Sequence, residues 1–184
     1  MQRKALLVSV ILALVVGTAD AATPIPEATY LVGFSPRAGA QDVVLQAIQS
    51  AKSQILVAAY SFTSKPVATA LLAAANRGVQ VAVVADAKAN DPNSRTGRRY
   101  SAAQFLANKN VAVRLNSQYA ILHDKFMVID GRSVQLGSFN YSAAAHSQNA
   151  ENVLFLRDVP KLARQYAEEW RVLWEGGVDL PAKY

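Results

Sequence analysis

Between residues 28 and 86 three short apolar runs, ATYLVGFS, QILVAAYSF and VQVAVVAD, are separated by two segments whose apolar residues recur at helical spacing. In the first of these segments Val43, Val44, Ala47, Ile48 and Ala51 share one helical face. The second, SKPVATALLAAANRG, puts Pro66 in a first helical turn and Gly78 at the stop. Strand, helix, strand, helix, strand is the pattern of crossover connections, which lay successive strands parallel and place helices against the sheet. The chain therefore reads as an α/β protein with a mixed, largely parallel β-sheet flanked by helices on both faces. No internal repeat of roughly 20–50 residues is present, so a solenoid is excluded.

The periodicity breaks at AKANDPNSRTGRRYS, residues 87–101, which is rich in turn formers and concentrates Arg95, Arg98 and Arg99. It has two readings: a solvated connection, or a basic clamp for phosphates beside a site. SAAQFLANKN then completes a helix and VAVRLN a strand. KFMVID and SVQLG are two short strands joined at Asp130-Gly131, a hairpin signal. NVLFLRD is a last strand. The closing helix, VPKLARQYAEEWRVLW, lines up Leu162, Tyr166, Trp170 and Leu173 or Trp174 on one face, as core.

The 184 residues suit one domain with its own core. Residues 1–21 read as a signal peptide: Arg3 and Lys4 precede an apolar run that closes on the small-x-small triplet Ala19-Asp20-Ala21. That run falls short of the roughly 20 residues a membrane-spanning helix needs. Residues 22–184 are then one exported domain, periplasmic or secreted. The chain has no cysteine, which removes disulfides, thiolate metal sites and a cysteine nucleophile. Its formal net charge of +6 favours an anionic partner, although a modest surplus alone decides little.

Chemistry concentrates in LHDKFMVIDGRSVQLGSFN, residues 122–140. His123 and Lys125 stand two apart, so an extended segment projects them to one side, where both can meet a single anionic group. Asp130 follows at the far end of the same run. With two His, eight Lys and eight Asp in the chain, this spacing arises by chance about 0.004 times. Gly137, Ser138 and Asn140, in GSFN, then supply an unobstructed backbone, a hydroxyl and an amide, which are donors suited to phosphate oxygens.

HxKxxxxD followed by GSxN resembles the mark of the phospholipase D superfamily, matched by His123, Lys125, Asp130, Gly137, Ser138 and Asn140. Within it the chain is most similar to small exported bacterial endonucleases of the Nuc type, which also carry one copy of the motif. The resemblance implies a phospholipase D-like α/β/α sandwich and hydrolysis of phosphodiesters, here of DNA or RNA, through a covalent phosphohistidine on His123. It implies no cofactor and no metal. Lys125, Ser138 and Asn140 would bind the nonbridging oxygens and offset the charge that builds up in the transition state. Glu151, at the position of the family's downstream glutamate, would hold the second nitrogen of His123 and stabilise the imidazolium. Two histidines are needed, one as nucleophile and one to protonate the leaving oxygen. A single-copy chain implies a homodimer with a composite site.

Other readings stand beside these. Asp130 occupies a turn, where its ordinary role is local hydrogen bonding rather than chemistry. Glu151 is alternatively a surface carboxylate, and His146 reads as a loop residue. Phe139 and Tyr141 are expected to pack rather than stack on bases. The family resemblance equally admits a hydrolase of membrane phospholipid, and a noncatalytic DNA-binding module is the alternative outside enzymes.

Overall fold

The computed structural model describes residues 29–91 and 101–183. The expected signal peptide and the arginines Arg95, Arg98 and Arg99 lie outside the described residues.

Among the described residues there are eight strands and six helices, the longer ones where the periodicities of the sequence place them. The strands are β1 (Thr29–Ser35), β2 (Gln54–Ala59), β3 (Gln80–Asp86), β4 (Ala112–Asn116), β5 (Lys125–Ile129), β6 (Ser133–Gly137), β7 (Glu151–Arg157) and β8 (Gly177–Asp179). The helices are α1 (Ala40–Ser50), α2 (Lys65–Asn76), α3 (Ala87–Asn90), α4 (Ala102–Ala107), α5 (Ala143–Ser147) and α6 (Pro160–Glu175). Helix α2 begins as its sequence dictates: the Ser64 hydroxyl accepts from the Val67 amide at 3.4 Å, with Pro66 in the first turn. Gly78, at φ 90°, lets the chain leave the helix for β3.

All eight strands form one sheet, in the order β1-β7-β6-β5-β2-β3-β4-β8. The mixed sheet with helices on both faces is as expected; the balance of directions is not. Parallel pairing is confined to β2–β3 and β3–β4, and every other neighbouring pair is antiparallel. Crossover helices separate only the strands of the first half. From β5 onward connections are short or return along the sheet, and a tight connection can only reverse the chain. At the hairpin, Asp130 and Gly131 both take positive φ, 53° and 64°, and the Arg132 amide donates to the Ile129 carbonyl at 3.1 Å.

Alternation along each strand divides the interior into two layers. Ile55, Val57 and Ala59 of β2 face α1, α2 and α4, where Val44, Ile48, Leu71 and Leu106 complete the larger core. Ala58 and Leu56 face the other way, toward Ala163, Trp170 and Leu173 of α6. The Trp170 indole donates to the Val57 carbonyl at 2.8 Å, so this large apolar side chain is buried with its polar edge satisfied. Helix α6 packs on β6, β5, β2, β3 and β4. It leaves Tyr30, Val32 and Phe34 of the edge strand β1 exposed at 66%, 51% and 52%. Through their partners Leu156, Leu154 and Asn152 in β7, these side chains lie on the α6 side of the sheet.

Three sequence-derived details differ. Residues 87–90, read as the start of an irregular connection, form α3, whose N-terminus is capped by Asp86 Oδ1 accepting from the Ala89 amide at 2.7 Å. His146, read as a loop residue, lies in α5, whose N-terminus is capped by the Ser142 hydroxyl accepting from the Ala145 amide at 3.2 Å. The short strand β8, added beyond the closing helix, pairs with β4.

Candidate active site

The pairing registers bring one end of β1, β2, β5, β6 and β7 to one edge of the sheet. Ala59 pairs with Lys125, Phe126 with Leu136, Gly137 with Val153 and Ser35 with Glu151. The segments that follow β2, β3 and β6 and those that precede β5 and β7 therefore meet there. This places His123, Lys125, Ser138, Asn140 and Glu151 around the same edge.

Lys125 is the first residue of β5 and is buried, at 8% exposure. His123 stands just outside the strand and is exposed. The Lys125 ammonium donates to the His123 carbonyl, which ties the two residues of the motif together. Burial pushes the Lys125 pKa below its ordinary value, against the opposing pull of Asp124 and Glu151. The residue before His123 is anchored as well: the Leu122 amide donates to Asp86 Oδ2 at 2.8 Å.

Gly137 is required by close approach. A Cβ on it would lie 2.2 Å from the Asn152 carbonyl oxygen, and its φ is 153°. Only glycine lets the end of β6 press onto the start of β7. The next residue then meets that strand directly: the Ser138 hydroxyl donates to Glu151 Oε2 at 2.6 Å and accepts from the Asn152 amide at 3.1 Å. Asn149 Nδ2 donates to the other carboxylate oxygen, Oε1, at 2.9 Å. Asn140 leaves its side-chain Oδ1 buried and without a hydrogen-bond partner.

The expected contact between Glu151 and His123 is absent among the described residues. Within one chain the carboxylate is taken by Ser138 and Asn149, because the β6–β7 register sets Glu151 beside the GSFN segment. Asp130 is also separated from the site. It lies at the opposite end of β5, where Oδ1 accepts from the Ser53 and Gln54 amides at 2.8 and 2.9 Å and from the Ser53 hydroxyl at 2.9 Å, and Oδ2 accepts from the Lys52 amide at 3.0 Å. Burial alone would raise its pKa; the hydrogen bonds from Gln54, Ser53 and Lys52 outweigh that and hold the carboxyl below its ordinary value. Its placement is that of a turn residue fastening the hairpin to the start of β2, and it touches none of the other motif residues.

Phe139 and Tyr141 are fully buried, the latter donating from its hydroxyl to Gln135 Oε1 at 2.8 Å. Beside Tyr141, a cavity of about 690 Å³ opens between the 61–66 segment and α5, lined in part by Ser61, Thr63, Lys65 and His146. Among the described residues no three His, Cys, Asp or Glu side chains gather in a way that could hold a metal ion.

Three residues at this edge went unnoticed in the sequence: Tyr60, Asp86 and Asn90. Tyr60 lies 4.8 Å from His123, ring centroid to ring centroid. No local signal marks it, since it is 63 positions away and only the β2–β5 pairing brings the two together.

The family model described as cardiolipin synthase, PLD-like domain, matches residues 44–174. The phospholipase D of Rickettsia prowazekii is 33% identical over 137 residues, 74% of this chain and 63% of that protein. The mitochondrial cardiolipin hydrolase of Danio rerio is 32% identical over 133 residues, 72% of this chain and 56% of that protein. The chain thus spans under two thirds of the length of these curated relatives. Among solved structures, Nuc from Salmonella typhimurium, a phospholipase D family member, superposes with a TM-score of 0.79 at 38% identity, covering 85% of this chain and all of that one. NucT from Helicobacter pylori shares the fold, with a TM-score of 0.70 at 24% identity over 84% of this chain and all of that one. With His123, Lys125, Ser138 and Asn140 gathered at one sheet edge and the family match spanning most of its length, this chain belongs to the phospholipase D superfamily.

Proposed function

We propose that this protein is an exported phosphodiesterase that hydrolyses nucleic acid, an endonuclease of low sequence selectivity, working as a homodimer. The observation that carries the reading is the convergence of His123, Lys125, Ser138 and Asn140 on one edge, each with the chemistry a phosphoryl transfer requires. In this mechanism a neutral His123 nitrogen attacks phosphorus and the P–O bond to the leaving oxygen breaks. That oxygen takes its proton from His123 of a second copy. Water then attacks the phosphohistidine and gives its proton to the second copy's deprotonated His123, which breaks the P–N bond, restores both histidines and releases the phosphate monoester. Lys125 and Asn140 stabilise the nonbridging oxygens in the role a divalent cation fills in other nucleases, and Ser138, whose one hydroxyl hydrogen goes to Glu151 in the free chain, joins them when a phosphate oxygen takes that hydrogen in the carboxylate's place.

Nucleic acid is favoured over lipid by the 38% identity to Nuc across that entire chain, by the net charge of +6, of which only the +1 of Arg3, Lys4 and Asp20 leaves with residues 1–21, and by the basic run Arg95, Arg98 and Arg99. The dimer is supported by the exposed apolar row Tyr30, Val32 and Phe34, which runs along β1 to Ser35, the residue paired with Glu151. An apolar row that ends at the site is suited to a second copy, which brings its own histidine with it. Export rests on the first 21 residues.

The competing reading is a phospholipid hydrolase, favoured by the relatives named phospholipase D and cardiolipin hydrolase. Purified wild type and His123→Ala are assayed on plasmid DNA and on phospholipid vesicles, with and without EDTA. The expected result is cleavage of DNA that survives EDTA, vanishes in His123→Ala, and leaves a phosphohistidine adduct that is trapped by denaturant at alkaline pH. Turnover of vesicles alone would transfer the assignment to lipid. Full DNA cleavage by His123→Ala would refute the mechanism for either substrate.

A further inference from the structure

Tyr60 is the first residue beyond β2, and the Ala59–Lys125 pairing sets it against the His123–Lys125 segment. Its ring meets the His123 imidazole at 4.8 Å between centroids, tilted by 57°. The same ring lies 5.2 Å from the Lys125 ammonium. One aromatic side chain therefore touches both charged or reactive groups of the motif.

The backbone that carries this ring is clamped. Asn90, buried at 4%, donates from Nδ2 to the Tyr60 carbonyl at 2.5 Å and to the Asp86 carbonyl at 2.9 Å, and its Oδ1 accepts from the Phe62 amide at 2.9 Å. Asp86, at 2% exposure, accepts from the Leu122 amide through one oxygen and from the Ala89 amide through the other. The turn after β3 thus grips Tyr60 with Asn90 and the approach to His123 with Asp86. Both sides of the ring contact are held by the same short segment.

We propose that Tyr60 is a positioning residue of the site: the faces of its ring hold the His123 imidazole and the Lys125 ammonium in register on one phosphate. This rests on the reading above that these two residues act on a phosphodiester. A hydrogen bond would orient the imidazole only by occupying one of its nitrogens. An aromatic contact orients it and leaves both nitrogens available, one to attack phosphorus and one for an acceptor. For Lys125 the ring quadrupole offsets part of the cost of burying the ammonium, keeping it charged without a carboxylate bonded to it. Tyr60 is itself only half-buried, so its ring borders the space a substrate would enter.

The test uses the full-length protein with Tyr60→Phe and Tyr60→Leu, plasmid DNA as the probe, and NMR of the His123 ring protons. Tyr60→Phe is expected to keep kcat within about twofold and to keep the ring-current displacement of the His123 signals. Tyr60→Leu is expected to lower kcat about tenfold, leave KM within about twofold and abolish that displacement. Should Tyr60→Leu fail to fold, Tyr60→Met fills the space without a ring and must give the same split. Wild-type kcat in the ringless variants, an effect on KM alone, or a Tyr60→Phe as impaired as Tyr60→Leu would each overturn the proposal. A wild type inactive on DNA and on phospholipid vesicles would instead sink the catalytic reading, and the NMR comparison would still decide whether the ring holds His123.

Discussion

Replacing Asp130 separates the two roles open to it, because its placement makes it a fastener of the fold. Its carboxylate accepts from three backbone amides and one hydroxyl at 2.8–3.0 Å. It sits beyond the far end of β5, five residues long, which puts it about 17 Å from the catalytic end at 3.3 Å per residue. Hydrogen bonds to a charged group contribute about 1.5–3 kcal/mol each when buried, but Lys52 and Ser53 are exposed and water replaces part of what is lost. Asp130→Asn keeps one acceptor oxygen and tolerates the φ of 53°, so its cost is about 1.5 kcal/mol. Asp130→Ala loses every acceptor and adds the strain of a left-handed alanine, for about 3 kcal/mol. For a domain of this size these correspond to Tm losses of roughly 3–6 and 6–12 °C.

The pH dependence has a definite sign. The folded carboxyl has a pKa below its unfolded value, so its contribution is complete above about pH 4 and fades as pH falls through the folded value. The Tm gap between wild type and Asp130→Asn should therefore close in acid. Calorimetry at pH 7 and pH 3, alongside DNA cleavage at 25 °C, measures both arms. Cleavage within about twofold of wild type, with the Tm loss, is expected. An unchanged Tm with a hundredfold loss of cleavage would refute the placement argument.

Gly137→Ala drives a Cβ to 2.2 Å from the Asn152 carbonyl; it should cost about 2–4 kcal/mol in urea unfolding and lose activity, because β6 must withdraw from β7. Ser138→Ala removes the one hydroxyl hydrogen that Glu151 holds at 2.6 Å in the free chain and that a bound phosphate would take over, and kcat should fall about a hundredfold with little change in Tm. Phe34→Glu, at a side chain 52% exposed on β1, should leave the monomer folded by circular dichroism while light scattering registers loss of the dimer and cleavage falls with it. Trp170→Phe leaves the Val57 carbonyl without its 2.8 Å donor and should lower stability by about 1–2 kcal/mol with activity unchanged below the melting range.

Much of the fold was legible because each element is written locally. The runs QILVAA and VQVAVVAD, the face Val43, Val44, Ala47 and Ile48, and the stop at Gly78 each specify a strand, a helix or its end within a few residues. The direction of pairing was less legible. The βαβ pattern of the first half and the hairpin at Asp130-Gly131 together specify a mixed sheet, but nothing local says that β7, β1 and β8 join it antiparallel, so that parallel pairs are the minority. Small elements escaped for the same reason: β8 and α5 are three and five residues long and carry too little pattern to stand out.

For the site, the residue types and their spacing were set by the sequence alone: His123 and Lys125 two apart, then Gly137, Ser138 and Asn140, fix which groups are present and that a phosphate is their natural partner. Tertiary structure decided which neighbours those groups have. It sent Asp130 to the amides of residues 52–54, gave Glu151 to Ser138 and Asn149, and brought Tyr60 from 63 positions away onto His123. Spacing along a chain constrains contacts only within a strand or a turn of helix. Contacts between strands follow from register, and register is settled by burying both faces of the whole sheet at once.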